Sequence, residues 1–207
     1  MSTLIVGDSH VKRLKTFLGS RRSANFVFNI YELKEVNYFG ISGGLVNNGH
    51  HLSLITSAVR RCRPQHLIVF IGGNDLDSSE LDFSLECIVS KLTANVTQLK
   101  RCFHLKSVTV LSFLPREVTR NIDCLIYNQR VKKANRLLKQ LCACHTVTFW
   151  KLRGFAESQK PILCDGVHLN DLGFHKLFRQ IRGVLLIQLR QEPKPSPSVN
   201  SNDDRGF

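Results

Sequence analysis

The sequence predicts a single α/β domain, a doubly wound sandwich whose mostly parallel sheet is about five strands wide. Three observations lead there. Short runs of β-branched and aliphatic residues alternate along the chain with longer segments of helical spacing, an order that builds right-handed βαβ units. The short runs are rich in β-branched and aliphatic residues, as befits buried strands. The longer segments carry their apolar residues on one stripe, at intervals of three and four, and so must pack on something.

Taken in order, Leu4 to Val6 forms the first strand and runs into Gly7-Asp8-Ser9-His10, a turn that opens a helix. A second strand lies between Phe26 and Phe39 and ends in Gly40-Ile41-Ser42-Gly43-Gly44. Leu67 to Ile71 is the third, followed by Gly72-Gly73-Asn74-Asp75. Leu85, Ile88, Val89, Leu92, Val96 and Leu99 then recur at helical spacing. Val108 to Phe113 is the fourth strand, and Tyr127, Val131, Ala134, Leu138 and Leu141 mark the next helix. Thr146 to Phe149 is the fifth, and Phe174, Leu177, Ile181, Val184 and Leu185 mark the last helix. Residues 1–190 therefore read as one domain. From Gln191 to Phe207 the chain turns to Pro, Ser, Lys and polar residues, too little apolar area to offset ordering, and reads as a disordered tail.

Composition narrows the class without naming a function. With 43% hydrophobic and 22% charged residues, the 207-residue chain falls among ordinary globular proteins. Its longest apolar runs fall far short of the roughly 18 to 20 residues a membrane span needs, so no span is expected. Seven cysteines at irregular spacing, and a chain that opens directly into a strand with no leader, favour a reducing, intracellular and cytoplasmic setting. Twenty-nine Lys and Arg against 16 acidic residues leave a net charge of +13, which makes nucleic acid or an acidic surface a candidate partner. The plainer reading is several solvated helix faces.

In an open parallel sheet, ligands bind beyond the carboxyl ends of the strands, near the point where strand order reverses. All four polar clusters, the three above and Asp165-Gly166-Val167-His168 in the loop before the last helix, fall at that edge. Ser9, at a helix start, would be exposed beside unpaired backbone N–H groups. A serine hydroxyl needs a base, and His168 is the histidine on the strand-edge loop. Asp165, three residues earlier, would come alongside the imidazole and fix its tautomer. Gly43 would offer a bare backbone N–H, and Asn74 its side-chain amide, to a developing oxyanion. Singly, each cluster is an ordinary turn or cap. Together they supply nucleophile, base, orienting acid and oxyanion donors in order.

Through Gly7-Asp8-Ser9, Gly43, Gly73-Asn74-Asp75 and Asp165-x-x-His168, the chain resembles the SGNH hydrolases, also called GDSL-type esterases and lipases. The likeness extends to Leu114-Pro115 and His168-Leu169-Asn170 and reaches about Leu189. It implies a flavodoxin-like three-layer α/β/α fold and hydrolysis of an ester or thioester through an acyl-serine. It further implies Ser9, Asp165 and His168 as a triad, oxyanion donors from Ser9 N–H, Gly43 N–H and the Asn74 side chain, and no metal or organic cofactor. His10 departs from the family's usual apolar or small residue; crowding the pocket and binding an anion are both open to it, and an exposed helix position is its ordinary reading. Gly44 rivals Gly43 as donor by one position. Leu76, Phe113 and Leu114, just beyond strand ends, are candidates for an apolar acyl pocket, with a short acyl ester as the expected substrate.

The alternative is a catalytically silent module of the same fold that binds RNA or another polyanion. The chain resembles, more loosely, the RNA-binding OSK domain family, and its opening resembles hydrolase domains of some retrotransposon reading frames. Cys142-x-Cys144-His145 offers three potential zinc ligands where a structural site wants four, so no metal is expected. His50-His51 reads as a surface or cap pair, and Cys62, Cys87, Cys102, Cys124 and Cys164 as small, partly buried apolar side chains.

Overall fold

A computed structural model describes residues 1–20, 27–80, 83–155 and 161–191. The tail expected beyond Gln191 lies outside the described residues. Five parallel strands, β1 (Ser2–Gly7), β2 (Glu35–Gly40), β3 (His66–Phe70), β4 (Ser107–Leu111) and β5 (Thr148–Trp150), lie in the order β2-β1-β3-β4-β5. The helices are α1 (Ser9–Gly19), α2 (Gly49–Cys62), α3 (Leu85–Cys102), α4 (Cys124–Cys144) and α5 (Asp171–Arg190). This is the expected three-layer sandwich.

Alternation along each strand divides the core. Leu4 and Val6 of β1, and Leu67 and Val69 of β3, face the layer of α2, α3 and α4, where they meet Val59, Leu92 and Leu138. Ile5, Ile68 and Phe70 face the opposite layer, where α1 and α5 contribute Leu14, Leu18, Leu177 and Leu185. Each such aliphatic side chain, fully withdrawn from water, favours the folded state by roughly 1.5 to 3 kcal/mol.

Two strand boundaries are set by local chemistry rather than by hydrophobicity. β4 was expected to reach Phe113, but the Asn135 side chain of α4 accepts the Phe113 N–H at 2.8 Å and donates to its carbonyl at 3.1 Å. That backbone leaves the ladder at the edge where the polar loops gather. β5 starts two residues late because Thr146 takes a left-handed φ of 54° that a strand cannot accommodate.

Chain order reverses between β1 and β3, since β1 is followed by β2 on one side and the chain then crosses to β3 on the other. The loops leaving these two strands are therefore neighbours at the switch point, the usual place for a ligand in this architecture.

Candidate active site

β1 delivers the first cluster to the sheet edge through a close backbone approach. At Gly7 a Cβ would lie 2.1 Å from the Phe70 carbonyl oxygen of β3, so only glycine permits the contact. The next residue, Asp8, donates its N–H to that same carbonyl at 3.1 Å and accepts the His10 N–H on Oδ1 at 2.9 Å, capping α1. Ser9 is thereby the first residue of α1 and half-buried. Its N–H lies in the first helical turn, where no intrahelical acceptor exists.

A loop before α5 brings His168 to this serine. Residues 162–170 double back on themselves: the Cys164 N–H bonds to the His168 carbonyl at 2.9 Å, the Asn170 N–H to the Ile162 carbonyl at 2.9 Å, and Leu163 bridges Leu169. Asn170 caps α5 by accepting the Gly173 N–H at 3.0 Å and donates to the Pro161 carbonyl at 3.0 Å, so one side chain ties the loop to the helix. His168 Nε2 lies 3.1 Å from Ser9 Oγ, and His168 Nδ1 lies 2.7 Å from Asp165 Oδ2. Asp165 also accepts the N–H groups of His168 at 2.6 Å and Val167 at 3.0 Å through Oδ1. Burial pushes the Asp165 carboxyl up, but the His168 N–H, the imidazole and the Val167 N–H outweigh it and hold the group well below the usual carboxylate range. An ionised carboxylate only accepts, so Nδ1 of His168 carries the proton and Nε2 turns its lone pair toward the serine hydroxyl.

The glycine loop after β2 packs against the Asp8-Ser9 turn, since a Cβ on Gly44 would lie 3.4 Å from Asp8 Cα. Gly44 is buried and its N–H bonds to the Ile41 carbonyl at 3.0 Å. Gly43 is exposed, takes a left-handed φ of 67°, and its N–H has no acceptor among the described residues. Of the two glycines, Gly43 alone has a donor to offer. Asn74, leaving β3, donates one Nδ2 hydrogen to the Gly44 carbonyl at 3.1 Å, which joins the loops after β2 and β3 and leaves its second hydrogen unassigned. Beneath it, buried Asp75 accepts the N–H groups of Val46 and Asn47 at 2.9 and 2.8 Å, pinning the glycine loop; burial pushes this carboxyl up despite those two bonds.

The structure thus brings all five residues singled out in the sequence to one sheet edge. Two further residues at this edge carry roles that sequence reasoning missed. Arg116 is 7% exposed, donates to Asn74 Oδ1 at 2.7 Å and pairs with buried Asp77 at 3.4 Å. Because a guanidinium can only donate, it decides which end of the Asn74 amide is oxygen and turns the NH2 outward. Asp77, three residues after Asn74, was the available signal for it. His10, expected to be exposed, is 6% exposed instead. Its Nδ1 lies 3.0 Å from Asp8 Oδ1 and its Nε2 lies 3.3 Å from the Val167 carbonyl, and its ring packs 5.3 Å from Phe70 and 5.7 Å from the His168 ring. The residue after Ser9 therefore fastens α1 to the loop that carries His168. No periodicity signals this, because the polar partners come from positions 2 and 157 residues away.

Other expectations divide. Phe113 and Leu114 border a small cavity of 10 Å³ with Asp8, His10 and Val167, but Leu76 is fully buried in the core, held there by the turn Asp75–Asp77. His51 accepts the Leu45 N–H at 3.1 Å, and Asn48 caps α2. Cys142 is buried and burial pushes its thiol up to about 11, whereas Cys87, Cys102 and Cys164 are exposed rather than partly buried. No described helix is long and apolar enough to cross a membrane.

Residues 5–176 match the model of the GDSL-like Lipase/Acylhydrolase family. No curated protein matches the sequence. Among solved structures, the chain is similar to a GDSL-like lipase from Bacteroides thetaiotaomicron, with a TM-score of 0.72 at 15% identity over 90% of this chain and 88% of that one. It is similar also to the lipase/acylhydrolase from Enterococcus faecalis, with a TM-score of 0.63 at 18% identity over 95% and 100%. A catalytic mutant of an acetylxylan esterase from Geobacillus stearothermophilus gives 0.64 at 19% over 87% and 91%. At such identities the structures share the fold.

Proposed function

Because this chain belongs to the GDSL-like lipase/acylhydrolase family, a family of ester hydrolases, we propose that it cleaves a carboxylic ester or thioester through an acyl-serine on Ser9. The observation that carries the reading is the unbroken path from Ser9 Oγ to His168 Nε2 at 3.1 Å and from His168 Nδ1 to Asp165 Oδ2 at 2.7 Å. Ser9 Oγ attacks the carbonyl carbon while His168 Nε2 takes its proton. Asp165 keeps the imidazole in the reactive tautomer and stabilises the imidazolium. The carbonyl oxygen gains charge toward the N–H groups of Ser9 and Gly43 and the second Nδ2 hydrogen of Asn74, whose amide Arg116 holds in place. His168 returns the proton to the leaving alcohol or thiol. Water, deprotonated by the same nitrogen, then releases the acid and restores Ser9.

The 10 Å³ cavity walled by Phe70, Phe113 and Leu114 has room for no more than about one water, so it is not the acyl pocket. The likeness to an acetylxylan esterase is what supports a short acyl group. His10 acts here as a positioning residue, fixing the height of the base above the nucleophile.

Labelling with a fluorophosphonate tests the assignment without knowledge of the substrate. The phosphorus forms a bond to Ser9 Oγ and fluoride leaves, so peptide mass spectrometry should find the adduct on Ser9, and His168→Ala should slow its formation. An adduct on another residue, or equal labelling of His168→Ala, would contradict the mechanism.

A further inference from the structure

Beyond the Phe113-Leu114-Pro115 segment from Ser9, the sheet edge opens into a groove of 780 Å³ between α4 and the chain leaving β5. Its rim carries Lys132, Arg136 and Lys139 from α4, at i, i+4 and i+7, and Lys151 and Arg153 from the β5 exit. All five are exposed, and none makes an ion pair among the described residues, while no described lining residue is acidic. Lys133, one position along α4, shows the contrast: it pairs with Glu86 at 2.7 Å. Like charges at i and i+4 of a helix repel one another, so keeping three on one side without a carboxylate leaves a field that a bound anion would relieve. Between the cations the floor is apolar, formed by Leu114, Phe149, Leu152 and Phe155.

The groove continues the catalytic edge. Phe113, Leu114 and Pro115 wall both it and the small cavity that Asp8, His10 and Val167 complete. Five cations exceed what one carboxylate can engage, whereas a phosphate presents several acceptor oxygens and suits the guanidinium fork. Building on the acyl-serine reading, we propose that this groove holds a phosphate-bearing end of the substrate, so that the preferred ester joins a short acyl group to a phosphorylated alcohol.

Two measurements test it. Calorimetric titration with inorganic pyrophosphate should show saturable binding, equal for wild type and Ser9→Ala, and weakened tenfold or more in Arg136→Glu/Lys151→Glu. The equally charged control Lys15→Glu/Arg61→Glu, on α1 and α2, should change it less than twofold. In the kinetic arm, wild type should hydrolyse 1-acetylglycerol 3-phosphate with kcat/KM at least tenfold above 1-acetylglycerol, and the groove variant should lose that preference while keeping its rate on 1-acetylglycerol. Absent saturable binding, equal weakening by the control, or no preference between the esters would overturn the proposal. So would saturable binding of a short RNA without binding of pyrophosphate, which would mark a nucleic-acid surface instead. Pyrophosphate binding with neither ester hydrolysed would contradict the acyl-serine reading and leave only an anion site.

Discussion

Asn74 is the residue whose environment says most about the chemistry. Its oxygen is taken by Arg116 at 2.7 Å and one amide hydrogen by the Gly44 carbonyl at 3.1 Å, so a single donor remains for an oxyanion. Removing one such donor typically costs about 10² to 10³ in kcat. Asn74→Ala should therefore lower kcat on a short acyl ester by that order with KM little changed; an unchanged kcat would remove Asn74 from the oxyanion site. His10 acts at one remove. His10→Gln can keep a donor toward the Val167 carbonyl and should retain most activity, whereas His10→Phe should lower kcat about tenfold while KM stays level, an order of magnitude consistent with misplacing a base rather than losing it. If both variants lowered kcat equally, the hydrogen bond to Val167 would have no part in positioning. The sequence disclosed Ser9, Gly43, Asn74, Asp165 and His168 as candidates because each offers a polar group in a loop that joins a strand to the next helix. It concealed Arg116 and His10 because their importance comes from burial between distant segments, which no local pattern records.

The elements are legible for a different reason. The spacing of Leu85, Ile88, Leu92 and Val96 forces α3 onto the sheet, and the buried face of the helix contains these same residues. The strand ends were less legible, since an Asn135 side chain 22 residues away closes off β4. The loop carrying Asp165 and His168 belongs to this scale too. Asn170 holds it by capping α5 and donating to Pro161, so Asn170→Ala should cost about 1 to 2 kcal/mol in chemical denaturation, the range for a lost cap. The same change should lower kcat, because the base rides on the loop it frees. Full stability would contradict the tie described here.

At the scale of the whole molecule, the strand order puts the β1 and β3 exits side by side, which is why clusters far apart in sequence converge. That convergence was foreseeable from βαβ alternation; the separate basic groove was not, because net charge says nothing about where cations gather. Acid stability also belongs here. Asp165 has its carboxyl held below the usual range, so its contribution to stability is present above about pH 4, its ordinary unfolded value, and is lost as pH falls toward the depressed folded value. Its side chain is 46% exposed, so the effect is small. The stability difference between wild type and Asp165→Asn should shrink as pH falls below about 4, and a difference unchanged at pH 2 would show that the carboxylate's charge does not matter to the fold. The most direct test of the central claim is p-nitrophenol release from p-nitrophenyl acetate by wild type and by Ser9→Ala, with folding of both checked by circular dichroism. Turnover by wild type and none by a folded Ser9→Ala is the predicted result; equal turnover by both would contradict Ser9 as the nucleophile.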